Sequence, residues 1–127
     1  MTFIEPRVGC GAAIVIGDRI LLIRRLKAPE AGHWGLPGGK IDLYETAAEA
    51  AEREILEELG IGIQARDLLC FVDQIDREAA THWVSPVYLV TAFTGEAVNM
   101  EPAKQRDRLV RSGRPARAPD CRGAGCA

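Results

Sequence analysis

The sequence predicts a single domain of the α/β or α+β class, in which the strands of a mixed sheet surround one long helix. The chain of 127 residues is long enough for one hydrophobic core but short for two. Its composition, 47% apolar and 27% charged, is ordinary for a soluble globular protein. The fold class follows from strand patterns on both sides of an alanine-rich helical pattern.

The first half of the chain has the pattern of a hairpin, a loop and a helix. Residues 8–16 and 20–23 are apolar and partly β-branched, and "GD" between them is typical of a turn. Residues 27–40 contain two prolines and four glycines, which predicts a loop. Residues 45–59 are the predicted helix, ended by Gly60, with a core-facing stripe of Ala48, Ala51, Ile55 and Leu59.

The second half has the pattern of two further strands. Residues 68–76 and 82–95 are rich in apolar and β-branched side chains. Pro86 lies within the second of these segments, which predicts an edge strand or a bulge there.

Charge and apolar patterning exclude several classes of partner. Residues 1–103 carry 9 basic and 16 acidic side chains, and this acidic body argues against nucleic acid as a partner. No apolar run approaches the roughly 18 residues that span a bilayer, and the N-terminus lacks a signal-peptide pattern. We therefore expect a cytoplasmic protein without membrane contact. The four cysteines have no CxxC spacing, so we expect reduced thiols and no zinc site.

Six glutamates lie between Glu45 and Glu58, with Arg53 as the only basic residue among them. On a helical wheel Glu54, Glu57 and Glu58 fall within about 100° of each other, beside the apolar stripe. Three carboxylates on one side of a helix suit a hard dication such as Mg²⁺, which shares its coordination shell with phosphates. The alternative is a solvated acidic helix face. Arg53 can pair with a glutamate four positions away and offset part of the repulsion.

The residues around these glutamates resemble the Nudix box, GX5EX7REUXEEXGU with U an aliphatic residue. Gly39, Glu45, "REILEELGI" at 53–61 and the preceding "GHWGLPGG" fit the pattern, and a looser resemblance covers residues 8–104. The resemblance implies a Nudix fold, an α/β/α sandwich around a mixed sheet, with the box forming a loop–helix–loop. It also implies cleavage, with Mg²⁺ or Mn²⁺, of a nucleoside diphosphate linked to another group.

Residue roles follow from the same resemblance. Glu54, Glu57 and Glu58 match the metal-binding glutamates, and Gly39 matches a glycine whose carbonyl often adds a ligand. Glu45 and Arg53 match the residues that hold the loop to the helix. A base must deprotonate the attacking water; the candidates are Glu57, Glu58 and Glu101, the last in a Glu-Pro segment that MutT-like proteins often carry. The expected catalytic set is therefore Glu57, Glu54, Arg53 and Glu101.

Substrate recognition is less sharply indicated. Arg24, Arg25 and Lys27 follow the second strand and are candidates for phosphate contacts, while Trp34, His82 and Trp83 are candidates for stacking on a base. Core or interface packing is the alternative for both tryptophans.

We expect a nucleoside triphosphate, including an oxidised one, as substrate, because the short chain lacks an added N-terminal domain that completes a larger pocket. ADP-ribose or another nucleoside diphosphate sugar is the second choice, and a non-catalytic nucleotide-binding module is the competing class. A homodimer is compatible with the resemblance.

The C-terminal segment departs from the resemblance. Similar proteins continue with a tryptophan-bearing strand, "LDxLP" and a closing helix, whereas residues 108–127 contain five arginines and no amphipathic period. We expect a Nudix domain over 1–107 and an atypical basic tail over 108–127, so that the C-terminal helix is missing or altered. Codons for residues 108–127 can be chosen so that the reading frame one base downstream encodes GWFALDDLPAPLTVAARAA. This peptide contains the missing tryptophan and the LDxLP pattern, so we predict a frame shift in the gene. The nucleotide sequence of the gene decides between a frame shift and a disordered tail.

Overall fold

The computed structural model describes residues 3–25, 34–96 and 105–111, and for Arg25 and residues 105–111 it describes the backbone alone. The elements, in chain order, are β1 (Arg7–Ile16), β2 (Arg19–Arg25), β3 (Trp34–Gly35), β4 (Gly38–Lys40), α1 (Ala47–Leu59), β5 (Asp67–Asp76), β6 (Thr81–Val90) and β7 (Gln105–Arg111). The predicted order of hairpin, helix and further strands is confirmed.

All seven strands join one sheet, whose main order is β3-β2-β1-β6-β5. β4 pairs with the N-terminal half of β1, and β7 pairs with β2 along its whole length. The β1–β6 pair is parallel and every other pair is antiparallel, so the sheet is mixed as predicted. β7 runs across the boundary predicted between residues 107 and 108, while residues 112–127 lie outside the described part of the chain.

Two local predictions need correction. The predicted loop over 27–40 contains the short strands β3 and β4 in its described part. Pro86 does not lie on an edge strand, because β6 runs between β1 and β5. The other alternative, a bulge, is confirmed nearby: the register between β5 and β6 shifts between Leu68 and Cys70, opposite Tyr88 and Val87. The pairing between β1 and β6 is also interrupted at Gly9 and Cys10, opposite Ser85 and Pro86. Proline has no N–H to donate to the ladder.

The helix α1 begins at Ala47, two residues later than the sequence pattern suggested, because Thr46 caps it. The Thr46 hydroxyl accepts a hydrogen bond from the Glu49 amide at 3.1 Å, and the Glu49 carboxylate accepts one from the Thr46 amide at 2.9 Å. This reciprocal pair is a capping box. At the other end Gly60 has φ 71°, the left-handed conformation in which glycine terminates a helix without steric cost. The carboxylate-bearing helix is thus fixed at both ends by its own sequence.

The sheet has two buried faces. We call the face against α1 the helix face; its main cluster comprises Ala12, Ile14, Leu21, Ile23, Ile55, Leu59, Ile61, Ile63 and Val90. We call the opposite side the second face; its cluster comprises Ala13, Ile20, Leu22, Cys70 and Val87, with Trp34, Leu36 and Val72 against it. Ala51, Ile55 and Leu59 of the predicted stripe are fully buried, and Ala48 is partly buried. Within the described ranges α1 is the single helix, and it is too short and too polar to cross a bilayer.

The buried cysteines differ in state. Cys10 is a free thiol on the helix face. Cys70 is disulfide-bonded, so the expectation of reduced thiols is wrong for this residue.

Candidate active site

The segment from β4 to α1 brings the box glycines against the box glutamates. Gly39 lies opposite Cys10 in the β1–β4 ladder. A methyl group on Gly39 would overlap the carboxylate of Glu54, so this carboxylate lies directly over the Gly39 backbone. The amide of Gly38 donates a hydrogen bond of 2.9 Å to Oε1 of Glu58. The helix therefore presents two carboxylates to consecutive glycines of one strand.

Arg53 is the centre of the polar contacts at this site. Its Nε and Nη2 donate to the two carboxylate oxygens of Glu45 at 2.6 and 2.9 Å, and Nη2 also donates to the Lys40 carbonyl at 3.0 Å. Its Nη1 donates to both Glu54 and Glu57, each at 3.1 Å. One guanidinium thus ties the loop before α1 to the helix and holds two box glutamates beside each other.

These contacts perturb the charges strongly. The hydrogen bond from Arg53 lowers the pKa of Glu45 to about 2, and the Asp42 backbone contributes in the same direction. The same pair, with smaller contributions from Glu54, raises the pKa of Arg53. Both groups are therefore charged throughout the neutral pH range.

The three predicted metal ligands lie in different environments. The Glu54 side chain is 17% exposed, that of Glu57 is 53% exposed, and Glu58 is buried. Because one oxygen of Glu54 and one of Glu57 each lie 3.1 Å from Nη1, these oxygens are at most 6.2 Å apart, twice that distance. Within the described residues, no group of three His, Cys, Asp or Glu side chains is arranged to hold a metal ion.

The carbonyl of Gly39 adds a backbone oxygen beside the carboxylates. The Cys10 thiol donates to it at 3.5 Å, and burial raises the pKa of Cys10 to about 11, so the thiol keeps its proton. Carboxylate and carbonyl oxygens are the hard donors that Mg²⁺ and Mn²⁺ prefer. The donor chemistry around Gly39 and Glu54 therefore fits a hard dication.

The predicted substrate residues that the structure describes lie on strands β2, β3 and β6. Arg24 pairs with Trp34 across β2 and β3, and Trp34 packs on the second face. Trp83 lies on β6, where its ring meets the Phe3 ring edge to face at 5.5 Å. His82 is half-buried on the same strand. The Arg25 side chain, Lys27 and Glu101 lie outside the described residues.

Some contacts of the site escaped sequence reasoning. The Lys40 carbonyl and Cys10 were not candidates, and Asp42, whose carboxylate lies 3.4 Å from Arg53 Nη2, was also missed. Asp42, an acidic residue three positions before Glu45, is the one contact that the sequence could have indicated. A backbone carbonyl and a cysteine within a strand leave no recognisable pattern.

Comparison with known proteins agrees with this geometry. The sequence model of the NUDIX domain family matches residues 5–111. A solved structure, the MutT NUDIX hydrolase from Burkholderia pseudomallei, is 55% identical with a TM-score of 0.82, and the match covers 84% of each chain.

Two curated proteins extend the comparison. The ADP-ribose pyrophosphatase of Methanocaldococcus jannaschii is 33% identical over 105 residues, 83% of this chain and 62% of that protein. The human 8-oxo-dGDP phosphatase NUDT18 is 36% identical over 78 residues, 61% of this chain and 23% of that protein. The chain thus spans less than two thirds of the length of these curated relatives. On the matched domain and the complete box, the chain belongs to the NUDIX domain family.

Proposed function

We propose that the protein hydrolyses a nucleoside diphosphate linked to another group, using Mg²⁺ or Mn²⁺. The preferred substrate is a nucleoside triphosphate, including an oxidised one, cleaved to a monophosphate and pyrophosphate. The observation that carries this proposal is the placement of Glu54 and Glu57 on one guanidinium nitrogen directly beside Gly39. The similarity to a MutT NUDIX hydrolase over 84% of the chain supports it.

The proposed metal ligands are Glu54, Glu57, Glu58 and the Gly39 carbonyl. Glu54 is the best placed of these, since it lies over Gly39. When bound, the metal would neutralise phosphate charge and lower the pKa of an attacking water. Arg53 would keep Glu54 and Glu57 in place through its anchor on Glu45.

The proposed general base is Glu57. Its side chain is 53% exposed and reaches solvent, whereas Glu58 is buried and accepts a hydrogen bond from Gly38. Glu101 is the alternative base, carried over from the sequence. Arg24, Arg25, Lys27, Trp34 and Trp83 are the proposed substrate contacts, and a cytoplasmic homodimer remains part of the proposal.

A nucleoside diphosphate sugar such as ADP-ribose is the second candidate substrate. It is favoured by the 33% identity to an ADP-ribose pyrophosphatase over most of this chain. A non-catalytic nucleotide-binding module is the third candidate, and the presence of every box glutamate speaks against it.

The test is release of phosphate products from a panel of nucleoside triphosphates, oxidised triphosphates and nucleoside diphosphate sugars, with and without Mg²⁺. Glu57→Gln should abolish turnover and leave the fold intact by circular dichroism. Glu49→Gln is the matched control, because it removes one charge from the same helix and glutamine also serves in a capping box. Equal activity of Glu57→Gln and wild type would refute the role of Glu57. A folded wild type that releases no product from any member of the panel would refute the enzyme proposal.

A further inference from the structure

Ser85 and Trp83 are neighbouring residues on the second face of β6, and neither polar group has a partner in the described parts of the chain. The Ser85 hydroxyl and the Trp83 indole N–H take part in no hydrogen bond there. Both side chains are half-buried. A half-buried hydroxyl and a half-buried N–H without partners are available to a ligand.

A break in the sheet places Ser85 next to the candidate active site. Ser85 and the following Pro86 lie where the pairing between β1 and β6 is interrupted, opposite Gly9 and Cys10. A methyl group on Gly9 would stand only 2.6 Å from Ser85 Oγ, closer than side chains normally approach. The absence of a side chain at Gly9 therefore allows the Ser85 hydroxyl to lie over β1.

The position of a methyl group on Gly9 also limits the distance between Ser85 and the Gly39 carbonyl. The methyl carbon would stand 3.0 Å from the Gly39 carbonyl oxygen, so this oxygen and Ser85 Oγ are at most 5.6 Å apart, the sum of the two distances. The Trp83 ring approaches the same point, with Cε3 at 3.6 Å from the methyl carbon, so it lies at most 6.6 Å from the Gly39 carbonyl oxygen. The Ser85 hydroxyl and the Trp83 ring thus both lie over Gly9 and near the Gly39 carbonyl, within the length of a nucleotide whose phosphates lie there.

We propose that the Ser85 hydroxyl hydrogen-bonds a sugar hydroxyl of the bound nucleotide and so determines which sugar the protein prefers, with Trp83 beside the base. The inference rests on the proposed function, because it places the phosphates at Gly39 and Glu54. Serine both donates and accepts, so it suits a hydroxyl partner. A site that hydrogen-bonds a substrate hydroxyl discriminates against the analogue that lacks it, since its own polar group is then left unpaired.

A purely steric role for Ser85 makes a different prediction. If serine is required only as a small residue against Gly9, then Ser85→Ala should affect all nucleotides equally. Thr81→Val is the matched control, because it replaces a hydroxyl with a methyl group at the far end of the same strand.

The experiment measures binding of α,β-methylene triphosphates of adenosine and guanosine, in ribo, 2′-deoxy and 3′-deoxy forms, by calorimetry with Mg²⁺. Ser85→Ala should weaken binding of the forms that carry the contacted hydroxyl about 3- to 10-fold, the range expected for one hydrogen bond. It should leave the form without that hydroxyl unchanged, and Thr81→Val should alter none of them.

The failures of the two proposals can be told apart. A wild type that hydrolyses nucleotides, but whose Ser85→Ala variant shows the same affinity change for all three sugars, or none, overturns the role of Ser85 alone. A folded wild type that neither binds nor hydrolyses any of these nucleotides overturns both proposals.

Discussion

Replacing Gly39 with alanine tests the arrangement of the candidate metal site most directly. The new methyl group would occupy the position of the Glu54 carboxylate, so that carboxylate must move away. Two other glycines provide matched comparisons. Alanine at Gly35 would meet nothing within 4 Å, whereas alanine at Gly38 would overlap the Cys10 carbonyl and the Cα of Gly11 in the neighbouring strand.

The expected effects on stability differ because the obstructing atoms differ. The obstructing atoms in Gly39→Ala belong to the end of the flexible Glu54 side chain, which can move away at the loss of its 3.1 Å bond to Arg53. For a partly exposed ionic hydrogen bond this costs about 1 kcal/mol in the free energy of unfolding. Gly38→Ala must separate backbone from backbone, which costs about 3 kcal/mol. Gly35→Ala should remain within about 0.5 kcal/mol of wild type.

The metal affinity should follow a different order. Displacing Glu54 should weaken Mn²⁺ binding by about 10- to 100-fold in Gly39→Ala, although this variant remains folded. Gly35→Ala should bind Mn²⁺ as wild type does. Urea unfolding followed by tryptophan fluorescence gives the stabilities, and calorimetric titration with Mn²⁺ gives the affinities. If Gly39→Ala binds Mn²⁺ as tightly as Gly35→Ala, then Glu54 is not a ligand above Gly39.

Two further changes test the loop that precedes α1. Tyr44 is 94% exposed and has φ 74°, a left-handed conformation that glycine adopts without strain. Tyr44→Gly should relieve about 1–2 kcal/mol of backbone strain and lose about 0.5–1 kcal/mol through the greater chain entropy of glycine in the unfolded state. The melting temperature should therefore rise, and a lower one would contradict this. Glu45→Gln should destabilise the protein near neutral pH. Because the folded pKa of Glu45 is lowered from 4.5 to about 2, its contribution is complete above pH 4.5 and disappears as the pH falls through 2. The wild-type and Glu45→Gln unfolding curves should therefore converge over that interval, and a constant gap would refute the Arg53–Glu45 interaction as its source.

The helix and the box were predictable because their signals are local. The stripe of Ala51, Ile55 and Leu59 depends only on the helical period, and all three are fully buried. The capping box at Thr46 and Glu49 is equally local and was visible in the sequence, so the helix start could have been predicted to the residue. The contact between Glu45 and Arg53 was expected from the resemblance to the Nudix box, whereas helical spacing alone indicated the Arg53–Glu57 pair.

What the sequence left undetermined depends on pairing between distant strands. Glu58 lies four residues after Glu54, on the same side of the helix. Its carboxylate nevertheless accepts a buried hydrogen bond from the Gly38 amide of β4. Pro86 is compatible with an interior strand because the pairing with β1 breaks opposite it. The proline alone left an edge strand and a bulge as alternatives, and only the order of the strands decides between them. The nearness of Ser85 to Gly39 requires β1, β4 and β6 to be placed together, which needs the whole sheet.

The position of Arg53 explains how crowded glutamates are tolerated beside the proposed metal site. Glu45 and the Lys40 carbonyl occupy Nε and Nη2, which leaves Nη1 for Glu54 and Glu57 together. The guanidinium is therefore held by the loop, and its remaining nitrogen offsets the repulsion between the two helix carboxylates. A dication that took up those carboxylates would compete with the Nη1 contacts and not with the contacts of Nε and Nη2, so the tie between loop and helix could persist. Lysine has a single ammonium in place of the planar fork and cannot keep both sets of contacts at these positions. A single arginine therefore both holds the loop and brings the two helix carboxylates together.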